Sequence, residues 1–227
     1  MAKRILNTVV FMGSARDIAP PWGGSSRLGN RVLAYVKNVL ESRETKIGEE
    51  TVTHKVVIFD PLTVFAEGGA LHASGAEMKH PHFFFKEGAA PAEMTAMQQA
   101  IKAADCYIVV SCEYNHTIPP ALTGMMGHFG GSNYAYKPSA TVCYSPGPSG
   151  GARVAMALRP FLSELGCLPV SKLTLLPEPA ALLRDDGTPV DAAARPLKQL
   201  PAMLAELEWF AVALRKQRDS CGPPPPA

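Results

Sequence analysis

Three short segments of this chain carry side chains able to do chemistry on a ligand. The first is Gly13-Ser14-Ala15-Arg16, with Ser25, Ser26 and Arg27 further on in the same loop. Hydroxyls, guanidinium forks and open amides at a helix start are what a phosphate monoester needs around it. The same composition also suits a surface loop whose arginines are merely solvated. No GK[ST] follows and no GxGxxG is present, which disfavours the nucleotide classes built on those motifs. The second segment, Glu113-Tyr114-Asn115-His116-Thr117-Ile118-Pro119-Pro120, sets an aromatic ring beside a carboxylate and an amide. It fits a flat heteroaromatic ring, which takes stacking on its face and hydrogen bonds at its rim. It equally fits a loop in which Glu113 caps the next helix and Tyr114 fills the core. The third, Gly147-Pro148-Ser149-Gly150-Gly151, matches the GxSxG of a hydrolase nucleophile elbow. That fold needs its histidine after the serine, and all six histidines (His54, His72, His80, His82, His116, His128) precede Ser149. What remains is a glycine-rich turn whose amides approach a ligand edge closely.

Other candidates are weaker. His72, His80 and His82 with Glu77 and Glu87 imitate a metal cluster, but no cysteine joins them, and no metal is expected. Cys112 beside the second segment reads more simply as a small residue filling a strand end than as a reactive thiol.

The elements that must position these segments alternate along the chain. The apolar run Ile5 to Phe11 predicts a buried first strand, and Leu28, Val32, Leu33, Val36, Val39 and Leu40 share one face of a helix. His54 to Phe59 reads as strand two, stopped by Asp60-Pro61. Residues 61 to 90 look irregular. Pro91 opens a helix to about Ala104, Cys106 to Ser111 is strand three, and Pro119-Pro120 open a short helix to about His128. Strand four (Ser139 to Tyr144), a helix from about Gly150 to Leu165, strand five (Val170 to Leu176) and a helix from about Asp191 to Arg218 follow. Five strands separated by helices predict an α/β fold with a doubly wound parallel sheet and helices on both faces. The C-terminal ends of parallel strands share one edge, so the three segments should converge there. The stretches Ala66 to Ala90 and Pro177 to Val190 are long enough to cover a site or a subunit interface. One domain is expected over residues 1–218, with a disordered proline-rich tail over 219–227.

Composition narrows the function classes. With 227 residues, 47% of them hydrophobic, the chain can bury one full α/β core. Its 22 basic and 20 acidic residues leave a net charge of +2, no field for nucleic acid or an acidic membrane surface, so a small-molecule partner is expected. Five cysteines without a CxxC suggest reduced thiols and a cytoplasmic protein. Lys3-Arg4 before an apolar run imitates a signal peptide, but the run is short and broken by Asn7 and Thr8. No apolar stretch approaches the roughly 20 residues of a membrane span.

Taken together, the segments resemble the NADPH-dependent FMN reductase family of the flavodoxin-like superfamily, especially its eukaryotic-type members. The residues that carry the resemblance are Gly13-Ser14-Ala15-Arg16, Ser26-Arg27-Leu28-Gly29-Asn30-Arg31-Val32, Ala104-Asp105 through Glu113-Tyr114-Asn115 to Ile118-Pro119-Pro120-Ala121-Leu122, and Gly150-Gly151 leading to Leu158-Arg159-Pro160-Phe161, with Glu206-Leu207-Glu208-Trp209 in the last helix. The resemblance implies that FMN phosphate is held by Ser14, Arg16 and the segment around Ser26 and Arg27. It implies that Glu113, Tyr114, Asn115, Ser149, Gly150 and Gly151 surround the isoalloxazine. It further implies NADPH or NADH as electron donor, ping-pong transfer to a small acceptor such as free flavin, a quinone or an azo compound, and a homodimer or homotetramer. The flavin carries the chemistry, so no catalytic side chain is expected. The alternative is a flavodoxin-like electron carrier serving a protein partner, which is typically acidic where this chain is slightly basic. The sequence departs from the family at Cys112, where many relatives have proline, at Gly124 and Gly127, where an Asn and an Asp are frequent, and in the insertion from Asp17 to Ser25.

Overall fold

The computed structural model describes residues 2–18 and 27–224. Ser25 and Ser26, with most of the expected insertion, lie outside the described residues. Strand β1 (Ala2–Met12) is the spine. Its side chains alternate between two buried faces, with Leu6, Val10 and Met12 in one core and Val9 and Phe11 in the other. A central strand buried on both faces is the reason its sequence is a near-continuous apolar run. β1 pairs in parallel with β3 (Glu50–Phe59) along its length and with β4 (Cys106–Cys112) over its second half. β5 (Lys137–Ser145) follows β4, and β6 (Cys167–Pro169) and β7 (Thr174–Pro177) both pair with β5. A short β2 (Thr45–Ile47) adds an antiparallel edge, giving the order β2-β3-β1-β4-β5-β6 with β7 also on β5.

Seven strands therefore replace the five expected. β2 and an extended β3 form a hairpin that polar residues hide from an apolar-run reading. The segment expected as strand five pairs only from Thr174, as β7, with the short β6 before it, because residues 171 and 172 leave β5: the Glu206 carboxylate accepts the Ser171 amide at 2.9 Å and the Lys172 amide at 3.0 Å. These donors are satisfied without a ladder.

Helices cover both faces. α1 (Leu28–Ser42) and the last helix α7 (Gln199–Cys221) enclose one core through Val32, Val36 and Leu40 and through Leu200, Leu204 and Leu207. α3 (Ala92–Ala103), α4 (Pro120–Gly127) and α5 (Ala152–Glu164) enclose the other; α2 (Pro61–Val64) and α6 (Pro179–Leu182) are single turns. α7 starts later than expected because the Asp191 carboxylate takes the Ala193 amide into a turn and Arg195–Lys198 forms a 3₁₀ turn. It runs on to Cys221, past the expected boundary at Arg218. The stretch after α2 folds back onto α4. A side chain on Gly124 would place its Cβ 2.2 Å from the Ala76 carbonyl, and one on Gly127 would meet the Met78 sulfur at 2.6 Å. Those glycines exist because the chain's own loop lies on that helix.

α7 is fastened by Glu208, which is fully buried. Its Oε1 accepts from Arg43 Nε at 2.5 Å and meets His54 Nε2 at 3.0 Å, while His54 Nδ1 meets Thr8 Oγ1 at 2.8 Å. Burial pushes the Glu208 carboxyl up, but the bonds from His54 and Arg43 and the Arg43 charge outweigh it and hold the pKa below 4.5. A carboxyl lowered in the folded state stabilises fully above its unfolded pKa and loses that contribution as pH falls through the folded one. Glu208→Gln should therefore cost about 3 kcal/mol at neutral pH, because a buried charge partner is removed from Arg43. In denaturant titrations at pH 7 and in acid, the gap to the unmodified protein should narrow at the lower pH.

Candidate functional site

The ends of β1, β4 and β5 meet at one edge, and the loops after them touch. Gly13, just past β1, donates its amide to the Val110 carbonyl at 2.8 Å, which sets the first loop against β4. Ser14, 4% exposed, shares a 2.9 Å hydrogen bond with the Tyr114 hydroxyl. Arg16 is exposed and lays its guanidinium 4.2 Å from the centre of the Tyr114 ring. Together with Leu28 and Gly29 of α1, Cys112, Glu113, Tyr144 and Pro146, these residues line a cavity of about 170 Å³.

The start of α1 and Arg16 bring hydrogen-bond donors to this cavity. α1 has no side-chain cap among the described residues and no acidic residue in its first turn. The Asn30 amide returns to the Arg27 carbonyl at 2.9 Å, while the Leu28 and Gly29 amides have no acceptor among the described residues and face, with the positive end of the dipole, toward a ligand. Arg16 has no acidic partner among the described residues; its recorded contact is Tyr114.

Arg27 lines the cavity, and its contacts give it a structural part there. It is 6% exposed and four of its five N–H donors are engaged: Nη1 with the Ser14 carbonyl at 2.6 Å and Asp60 Oδ1 at 3.0 Å, Nη2 with Asp60 Oδ2, and Nε with Asn30 Oδ1 at 2.7 Å. Asp60 also caps α2 by accepting the Leu62 amide at 2.9 Å. Arg27 borders the cavity, but its charge is neutralised by a two-pronged ion pair, and its role in this geometry is to hold Ser14 and the start of α1.

Of the second segment, Glu113 does cap a helix, but not the next one. Its Oε2 accepts the Arg153 and Val154 amides at 3.2 and 3.4 Å and its Oε1 accepts Arg153 Nη1 at 3.0 Å, so it caps α5. Asn115 and His116, with φ of 48° and 64°, form the tight turn between the Tyr114–Thr117 pair and are exposed away from the cavity lining. The Tyr114 ring face offered for stacking is covered on one side by Arg16. In the third segment, Ser149 Oγ lies 3.2 Å from Ser145 Oγ, and no described histidine hydrogen-bonds to it. Gly150 and Gly151 have φ of 60° and 81° and press on β7 and β5; a Cβ on Gly151 would sit 2.8 Å from the Tyr144 amide nitrogen. These three residues shape the edge of the site without lining its cavity. Among the described residues no three metal-binding side chains converge.

Two residues of the site were not singled out from sequence: Tyr144, which lines the cavity, and Asp60, which lies outside the lining and holds Arg27. Tyr144 reads only as a strand residue there, and Asp60 only as a strand stop; an acid at the C-terminal end of a parallel strand is the signal that pointed to Asp60. Cys112 is 7% exposed, and burial pushes its pKa up although the nearby Tyr114, Ser14 and Tyr144 hydroxyls pull it down. It stays a neutral thiol, which argues against a reactive one. Burial likewise pushes Tyr114 up, partly offset by the Ser14 bond, so its hydroxyl stays protonated at neutral pH.

A model of the family described as NADPH-dependent FMN reductase matches residues 6–179. No curated protein matches the chain at significant similarity. Among solved structures, it is similar to the flavoenzyme NAD(P)H:(acceptor) oxidoreductase FerB from Paracoccus denitrificans, with 17% identity, 95% of this chain and 98% of that one covered, and a TM-score of 0.58. It is also similar to an oxidoreductase from Corynebacterium diphtheriae, with 14% identity, 92% and 98% coverage and a TM-score of 0.60. An NADH:FMN oxidoreductase, EmoB, shares 15% identity over 94% of this chain and 90% of its own, with a TM-score of 0.51.

If Arg27 is the clamp its contacts describe, Arg27→Lys removes the fork while keeping the charge, and should destabilise the ligand-free protein by about 2 kcal/mol. Chemical denaturation of the ligand-free variant measures this. An unchanged stability would return Arg27 to the ligand.

Proposed function

Because the chain belongs to the NADPH-dependent FMN reductase family, we propose that it is an NAD(P)H-dependent flavin oxidoreductase holding FMN non-covalently at the ends of β1, β4 and β5. The observation that carries this is the N-terminus of α1, without a side-chain cap among the described residues, which meets the Ser14 hydroxyl and an Arg16 guanidinium with no acidic partner among them around one cavity. That donor set suits a phosphate dianion: helix amides and a hydroxyl donate directly, and the guanidinium adds a charge-assisted bond. Ser14 and Arg16 hold the phosphate in this reading, and Arg27 holds Ser14. The loops carrying Tyr114 and Asn115 and the turn from Ser149 to Gly151 border the ring. Glu113, by capping α5, keeps the amides of that turn in place.

When bound, FMN supplies the redox chemistry, accepting hydride from NADPH or NADH and passing electrons by a ping-pong route to a small acceptor such as free flavin, a quinone or an azo compound. The chain's part is to hold and orient. Cys112 and Tyr114 carry no charge near neutral pH, and the Glu113 carboxylate in the lining is engaged by Arg153 and the first amides of α5. Four buried free cysteines fit a reducing, cytoplasmic setting. Exposed Phe84 and Trp209, 79% and 58% accessible, are apolar surface that a homodimer or homotetramer would cover. Among the described residues no helix is long and apolar enough to cross a membrane.

The purified protein should be yellow, or become so with added FMN, release free FMN on denaturation, and oxidise NADPH or NADH when an acceptor is present. Arg16→Ala should weaken FMN binding roughly 10- to 100-fold, as expected for loss of a charge-assisted hydrogen bond, and leave the thermal midpoint of the ligand-free protein unchanged. Titration of the ligand-free variant with FMN reads the affinity. A folded protein that takes up no FMN would overturn the proposal, and an unchanged affinity in the variant would move the phosphate away from Arg16.

A further inference from the structure

We propose that Tyr144 is a phosphate-contacting residue of this site, donating its phenolic hydrogen bond to a phosphoryl oxygen bound over the first turn of α1. The assignment rests on the FMN reading and deepens it. Tyr144 stands near the end of β5, two strands away from the first loop, and its ring reaches back beneath the loops to the start of α1. The contact there is close: a Cβ on Gly29 would lie 2.2 Å from the Tyr144 hydroxyl oxygen and 2.1 Å from the Met12 methyl carbon. Gly29 is thus the residue that makes room for the tyrosine tip at the helix start.

The tip itself is unpartnered. Tyr144 is 2% exposed, lines the cavity, and its hydroxyl has no hydrogen-bond partner among the described residues. Buried polar groups are nearly always paired, and one left open inside a cavity marks a place that a ligand or an ordered water fills. Its neighbours indicate what the partner is. Ser14 and Tyr114 bond to each other, and the Cys112 thiol is a weak donor and acceptor, so among the described residues the phenol meets no strong acceptor. Burial raises the Tyr144 pKa well above the ordinary tyrosine value, so the group is a donor at any working pH. A buried donor beside the uncapped amides of α1 and within the cavity bordered by Arg16 matches an anionic oxygen.

The test compares the unmodified protein with Tyr144→Phe, using FMN and riboflavin as probes and thermal unfolding of the ligand-free proteins as a check on the fold. FMN affinity should fall roughly 10- to 100-fold in the variant, the range for one hydrogen bond to a charged group. Riboflavin, which lacks the phosphate, should bind both proteins alike, weakly or not at all. The ligand-free variant should unfold at the same temperature or higher, because an unpaired hydroxyl has been removed. An unchanged FMN affinity would mean that water serves the hydroxyl and would overturn the assignment while leaving the FMN reading intact. So would an equal loss for FMN and riboflavin, which would place the contact on the polyol or the ring, or a lowered unfolding temperature without ligand. If the unmodified, folded protein binds no FMN, the functional reading fails and the assignment falls with it.

Discussion

The two-pronged pair between Arg27 and Asp60 is the contact on which the site depends. It joins the residue before α1 to the C-terminal end of β3, and through the Ser14 carbonyl it also fixes the loop after β1. One buried guanidinium therefore sets the direction of a helix N-terminus and the position of a hydroxyl at the same time. Burying such a charge is costly unless it is paired and its hydrogen bonds are satisfied, and here the carboxylate, a carbonyl and the Asn30 amide oxygen do both. With Arg27 neutralised, the net positive character of the cavity comes from Arg16 and from the amides of α1.

The rest of the sheet is stapled in the same manner, away from the ligand edge. Glu208 fastens α7 to β1 and β3 through Arg43, His54 and Thr8. Lys137, buried at the opposite end of β5 from the site, donates to the Ile101, Lys102 and Asn133 carbonyls and to the Tyr107 hydroxyl, closing the C-terminus of α3. Burial lowers its pKa to about 8, so the cage of acceptors is what keeps an ammonium there. His128 bridges the Gly124 carbonyl and the Ser74 hydroxyl, each at 2.6 Å, and so binds the long loop to α4. Each staple joins elements far apart in sequence, and none uses the edge where the three loops converge.

The long loop changes the meaning of a sequence departure. Gly124 and Gly127 look like lost polar contacts when set beside the family pattern. In the structure they are the space into which Ala76 and Met78 settle, so the α4 face is covered by the chain itself. On the same loop, Phe83 and Phe84 are exposed.

What the sequence determined by itself is the alternation of elements and the convergence of the three loops. Apolar runs buried on both faces, helical stripes and proline starts are local signals, and the shared edge follows from parallel strands. Ser14, Arg16 and Tyr114 could be read as one group for that reason. The late start of strand five, the late start of α7 and the β2 hairpin were not legible, because a distant carboxylate, a side-chain turn and a polar strand leave no periodic trace. The roles of Arg27, Glu113 and Tyr144 were decided only in three dimensions. A guanidinium, a carboxylate or a phenol has the same chemistry wherever it stands, and whether it meets a ligand depends on which partners the fold brings within hydrogen-bonding distance. Asp60 takes Arg27, the amides of α5 take Glu113, and the fold brings no partner to Tyr144 among the described residues.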